Sequence, residues 1–141
     1  MSVERFGAGE DLYAPAAVDH FTNPRNVGGV EDPDGKGSDT NPACGDRTTI
    51  TVRLRDGRIE YARFRTFGCV AAIASASALT ELVRGRSLDD ARAVPPGDVI
   101  AALGGLPPRK EACAVMAVGA LRAALIDAHV SLSPSAGKGR R

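Results

Sequence analysis

Three cysteines, Cys44, Cys69 and Cys113, together with Asp46 two residues after the first, are the side chains here best suited to hold a metal. Three thiolates and a carboxylate can fill a tetrahedral shell. They suit zinc, or an iron–sulfur cluster in which one iron takes an oxygen ligand. No Cys-x-x-Cys pair occurs, so zinc-ribbon and thioredoxin-type readings lose their main support. A free cysteine is often only a small buried hydrophobe. Against that, Cys44 falls in a loop and Cys69 follows a glycine, neither a usual core position.

For these groups to meet, elements far apart in the chain must end at one place. Pro15 opens a short helix that Asn23-Pro24 stops, so Pro15 to Thr22 is predicted helical. Residues 23–46 are rich in glycine and proline, with room for an edge strand, and end in an ordered or metal-binding loop carrying Cys44. From Thr48 to Arg55 β-branched and apolar residues alternate with polar ones, Asp56-Gly57 makes a hairpin turn, and Arg58 to Phe67 returns. Ile59 and Tyr61 are out of phase with Ala62 and Phe64, which predicts a bulge or a switch of faces. Cys69 stands where this strand gives way to a helix over Val70–Arg84, closed by Gly85. Ser87 caps a helix to Ala93, Pro95-Pro96 opens another to Leu103, and a last helix runs from about Lys110 to His129 with Cys113 in its first turn. Two of the cysteines thus sit at helix N-termini, where the positive end of the dipole favours thiolate. The order predicts an α+β fold, a small antiparallel sheet with helices packed on one face.

The chain has 141 residues and 14.6 kDa, one domain's worth, with 43% hydrophobic and 25% charged residues. Its 18 Lys+Arg against 17 Asp+Glu leave a formal charge of +1, no footprint for nucleic acid or an anionic membrane. The apolar run Val70–Leu79 is too short to cross a bilayer, and the start reads as lacking a signal segment. An odd number of cysteines fits thiols in a reducing compartment, hence a cytoplasmic protein. Residues 1–12 read as a flexible N-terminus, 13–130 as the domain and 131–141 as a disordered basic tail.

At this point the sequence resembles the U-type iron–sulfur cluster assembly scaffolds, IscU and the N-terminal domain of NifU. The resemblance rests on Val18–Gly28, Asn41-Pro-Ala-Cys-Gly-Asp46, Ala62-Arg-Phe-Arg-Thr-Phe-Gly-Cys69, Ala72-Ile-Ala-Ser75 and Leu106-Pro-Pro-Arg-Lys110 followed by Cys113. These pieces occur in the family's order across about residues 13–129. The resemblance implies about three antiparallel strands, a cluster site at one end, and Cys44, Asp46, Cys69 and Cys113 as ligands. It implies Cys113 as acceptor of persulfide sulfur from a pyridoxal-phosphate cysteine desulfurase. Leu106, Pro107, Pro108, Arg109 and Lys110 match the segment recognised by a specialised Hsp70-type chaperone, and Tyr13 a tyrosine tied to persulfide reduction and dimerisation. Two departures stand out. Ala112 precedes Cys113 where the family usually has histidine, and Val70 follows Cys69 where glycine is common. The zinc-dependent SufU branch also lacks the histidine but carries an insertion between its second and third cysteines; here they are only 44 positions apart, as in IscU.

The expected function is a scaffold that binds iron, takes persulfide sulfur, builds a 2Fe–2S cluster and passes it to apo acceptor proteins, as a monomer or homodimer. The alternatives are a zinc-dependent sulfurtransferase that never carries a cluster and a purely structural zinc domain. His20 reads as a structural or surface histidine and His129 as helix-end electrostatics. Lys110 could steady a thiolate at Cys113 or be a plain solvated lysine.

Overall fold

The computed structural model describes residues 4–5 and 12–132. Its elements run β1 (Glu4–Arg5), β2 (Leu12–Tyr13), α1 (Pro15–Thr22), β3 (Gly35–Asn41), β4 (Asp46–Arg55), β5 (Arg58–Phe67), α2 (Val70–Val83), α3 (Leu88–Arg92), α4 (Pro96–Ala102) and α5 (Glu111–Leu132). A 3-10 turn, Pro108–Lys110, leads into α5. β1 and β2 pair with each other, Glu4, Arg5 and Leu12 falling in the stretch read as a flexible N-terminus and Tyr13 opening the domain. The helix α5 continues to Leu132; the remainder of the segments read as flexible or disordered lies outside the described residues.

The main sheet is antiparallel in the order β3-β4-β5. Asp56 and Gly57 turn the β4–β5 hairpin with φ of 55° and 75°, the left-handed pair a two-residue turn demands. The phase break predicted in the return strand is a register shift between Arg53 and Leu54. The extra residue lets Ile59, Ala62 and Phe64 all face the core while Tyr61 faces out. With Ile50 and Val52 of β4 they form the sheet's inner surface.

α2 and α5 lie on that inner face, with α1 and α4 packed on the helices. Two glycines on β3 set how close α5 can come. A Cβ at Gly35 would stand 2.1 Å from the Ala124 carbonyl oxygen, and one at Gly37 2.2 Å from the Ala124 nitrogen. The helix therefore rides directly on the strand's backbone, and the alanines along it complete the fit. By length and composition the run Pro108–His129 could cross a bilayer, a stretch longer than the one the sequence reading weighed. More than half of its most apolar window is buried inside the fold, where it serves as the core helix.

Candidate metal centre

Three of the four ligands implied by the resemblance meet at one end of the sheet. Asp46 opens β4 opposite Asn41, the last residue of β3. Cys69 is the N-cap of α2 and Cys113 lies in the first turn of α5, buried at 4% exposure. The Cys69 and Cys113 sulfurs are 3.8 Å apart, and the Cys69 backbone N–H points at Asp46 Oδ2 at 3.5 Å. One donor atom from each of Asp46, Cys69 and Cys113 lies within 4.8 Å of the others. Two thiolates bound to zinc at about 2.3 Å with a tetrahedral angle stand about 3.8 Å apart. The sulfur pair already has the spacing of a tetrahedral edge, well short of bonding to each other.

Cys44 is not in this group. It is exposed on the turn between β3 and β4, which Asn41 organises. The Asn41 side chain accepts from the Ala43 N–H at 3.1 Å, and its carbonyl accepts from the N–H groups of Cys44 and Gly45 at 3.2 and 2.7 Å. Two residues of chain cannot separate the Cys44 and Asp46 Cα atoms by more than about 7 Å. The fourth thiol therefore sits beside the site on a hairpin turn, while the other donors are fixed by a strand and two helices.

The electrostatics divide the two buried thiols. The hydrogen bond from the Cys113 thiol is the main reason the Cys69 sulfur is lowered to about 6; burial opposes it, and the Ala72 backbone N–H in the first turn of α2 and the Lys110 charge assist. Cys113 is pushed up, chiefly by that same hydrogen bond and by burial. The two thiols titrate as a pair: the shared hydrogen bond favours the first loss of a proton and opposes the second. The resemblance implies Cys113 as the nucleophile, and the direction of the shifts favours Cys69 for the first negative charge of the pair.

Gly68 is a part of the site that the sequence reading passed over. A Cβ there would lie 2.7 Å from Asp46 Cγ and 2.9 Å from Oδ2, so the carboxylate occupies the space a side chain would take. The signal was the Gly-Cys step itself, read only as marking an unusual setting for Cys69. Ala112 is exposed and lines a cleft of about 170 Å³ with Asp39, Asn41 and Met116.

Among the other residues singled out, Tyr13 is 2% exposed and belongs to the core. Leu106 to Lys110 run along the surface just before Cys113, Pro108 and Arg109 most openly. His20 is buried, its Nδ1 2.8 Å from the Ser77 hydroxyl and its Nε2 3.5 Å from Glu81; burial above all, then Arg25, lowers its affinity for a proton. His129 is exposed near the end of α5.

A three-stranded sheet roofed on one face by helices, with two thiols and a carboxylate gathered at its end, makes an α+β domain with a candidate metal site. The profile of the NifU-like N terminal domain family matches residues 12–130, and this chain belongs to that family. It is similar to "Iron-sulfur cluster assembly scaffold protein IscU 1" of Archaeoglobus fulgidus, 47% identical over 116 residues, 82% of this chain and 76% of the relative. The Escherichia coli K12 scaffold protein IscU is 44% identical over 82% of this chain and 92% of its own length. "Iron sulfur cluster assembly protein 2, mitochondrial" of Saccharomyces cerevisiae is 43% identical over 91% and 85%. Among solved structures, a putative SUF-system scaffold from Fervidobacterium islandicum superposes with TM-score 0.69 at 19% identity, covering 80% of this chain and 96% of that one. The N-terminal NifU-like protein of Brucella abortus gives 0.67 at 18%, covering 82% and 92%; these two matches speak to the fold alone.

Proposed function

We propose that this chain is a scaffold on which a 2Fe–2S cluster is assembled from iron and persulfide sulfur and then handed to apo acceptor proteins. The observation that carries the reading is the set of two sulfurs and one oxygen held within 4.8 Å by rigid elements, with a further thiol on the adjoining turn. Cys44, Asp46, Cys69 and Cys113 are the ligands, Cys44 joining by movement of its turn. Iron binding displaces the proton shared by Cys69 and Cys113, since a bound thiol is deprotonated. Sulfur arrives as the outer sulfur of a persulfide on a pyridoxal-phosphate-dependent cysteine desulfurase. The proposed acceptor is Cys113, which must first lose its proton; attack then forms its S–S bond and releases the desulfurase cysteine as thiolate. Two electrons from an external donor reduce the transferred sulfur to sulfide.

Asp46 suits a cargo site because a carboxylate oxygen is a harder and more labile ligand for iron than a thiolate. Removing it in Asp46→Ala is expected to slow release of the cluster to an acceptor. The surface segment Leu106–Lys110, next to Cys113 along the chain, is the proposed handle for an Hsp70-type chaperone, and the three free thiols suit a reducing compartment.

The test is anaerobic reconstitution of the full chain with iron, cysteine and a desulfurase. Visible charge-transfer absorption with about two irons per site is the expected outcome. Colourless protein that relays sulfur only when zinc is bound would replace the scaffold with a sulfurtransferase. Unfolding on removal of metal would make the site structural.

A further inference from the structure

The helices cover one face of the sheet; on the other, the segment 28–33 lies over Thr51 and Arg53 and leaves most of the remainder exposed. The outward positions fall in rows across the strands: Thr40, Arg47 and Phe67; Ser38, Thr49 and Arg65; Lys36, Thr51 and Arg63; then Arg53 and Tyr61. Five of these residues are cationic and none is acidic, in a chain whose formal charge is only +1. Among the described residues no ion pair involves any of the five. Arg53 donates to the backbone carbonyls of Glu31 and Asp32, while the other four cations are exposed. Shallow grooves of about 390, 390 and 200 Å³ run over this face, and Glu31 is the one acid among the residues lining them.

We propose that this face docks an acidic protein surface beside the metal site. Four of the five cations are arginines, whose planar guanidinium can grip a carboxylate through two hydrogen bonds. At the end of the face nearest Cys69 stands Phe67, 82% exposed, an aromatic anchor of the kind that dominates protein interfaces. Nucleic acid is the weaker match for the same cations. A base-stacking platform uses successive free ring faces, but on this face Phe67 is the single open ring, because Tyr61 is already covered by Arg63 and Arg84, at 5.9 and 5.4 Å from its centroid. Ser38 and Thr49 bond to each other at 2.7 Å, so these hydroxyls are already partnered rather than free for phosphate. Phe67 is two residues from Cys69, so a partner held here lies against the cargo site. That use of the face rests on the scaffold reading; the docking itself does not.

The test uses the full chain without metal and a fluorescent octaglutamate peptide as probe, with anisotropy as the readout. Binding is expected at about 20 mM salt, and should weaken at least about tenfold in Arg63→Glu/Arg65→Glu and again in about 0.5 M salt. Arg92→Glu, on α3, should leave it unchanged. Amide shifts should map to β4 and β5, Phe67 included. If the double reversal misfolds, Arg47→Ser/Arg65→Ser takes its place, with loss in the same direction. Absence of binding, indifference to these substitutions, or shifts elsewhere on the molecule would overturn the proposal. So would tighter binding of an oligothymidylate of equal charge, which would make the face a nucleic-acid surface. Because no metal is present, failure here leaves cluster assembly untouched, and failed reconstitution leaves docking untouched.

Discussion

One methyl group placed at Gly68 tests whether Asp46 is a ligand without altering Asp46 itself. The added carbon would stand 2.7 Å from Cγ, 2.9 Å from Oδ2 and 3.0 Å from Cβ of Asp46. Non-bonded carbons rest about 3.5–4.0 Å apart, so the carboxylate must retreat by about 0.8 Å or rotate away. Gly68 is not among the glycines with left-handed φ, so alanine adds no backbone strain. The three atoms the methyl would meet first all belong to Asp46, which makes the perturbation local. Moving one donor out of the triangle should weaken zinc binding by about 10–100-fold, the usual cost of disturbing the shell around a metal ligand. That corresponds to about 1.4–2.7 kcal/mol. The assay is competition with a chromophoric chelator, supported by the visible bands of the cobalt-substituted protein. Asp46→Ala should lose a similar factor, and the double variant Gly68→Ala/Asp46→Ala should be no weaker than Asp46→Ala alone, since both act through one carboxylate. Zinc affinity counts donors, whereas cluster release reports how labile they are, so the slower release expected of Asp46→Ala does not conflict with weaker zinc. Wild-type zinc affinity in Gly68→Ala, or losses that multiply in the double variant, would refute the placement of Asp46 in the site.

Cys113→Ala removes the hydrogen bond that chiefly holds the Cys69 sulfur at about 6. The pH midpoint of Cys69 alkylation should then rise towards the ordinary thiol range, and modification at pH 7 should slow; an unchanged midpoint would break the assigned coupling. Burial lowers the proton affinity of His20 in the fold below its ordinary 6.5, so between the lowered value and about 6.5 the unfolded chain binds more protons. Urea stability should therefore fall as pH drops from 7 to 5, and His20→Gln should flatten that slope. Gly37→Ala drives a carbon to 2.2 Å from the α5 backbone and should lower stability by about 3 kcal/mol, read from the urea midpoint.

Local chemistry made much of this fold readable. The hairpin announced itself through Asp56-Gly57, the bulge through the broken phase of Ile59 and Tyr61, and α3 through Ser87, whose hydroxyl accepts from the Asp90 N–H at 3.1 Å. Those signals act over a few residues. The meeting of Cys69 with Cys113 spans 44 positions, and the motifs shared with a family, not spacing, pointed to it. Gly35 and Gly37 were legible only as part of a glycine-rich stretch and Gly68 only as the neighbour of Cys69, because what a missing Cβ makes room for depends on an element elsewhere: α5 for the first two, Asp46 for the last. The basic face escaped the charge count for a similar reason. A total of +1 averages over surfaces that the β-strand alternation separates, and five cations share the side without helices only once the register is fixed.

The division of labour among the four proposed ligands follows from where the chain puts them. Cys69 and Cys113 begin helices anchored in the core, and Asp46 begins a strand whose next inward residues, Thr48 and Ile50, are fully buried. Moving the backbone that carries any of these donors would disturb packing. Cys44 has no such tether: its backbone belongs to a turn held by three hydrogen bonds to one asparagine, and Gly45 beside it has the left-handed φ of 79°. A site built wholly like Cys113 would bind its guest tightly and release it slowly, and one built wholly like Cys44 would bear the entropy of ordering every ligand. On the scaffold proposal, three anchored donors would keep the binding geometry between rounds of loading, while the exposed thiol could close over the cargo or give way to an acceptor's ligand. Exchange should therefore begin at the β3–β4 turn, the side of the site where a coordination position can open without unpacking a helix.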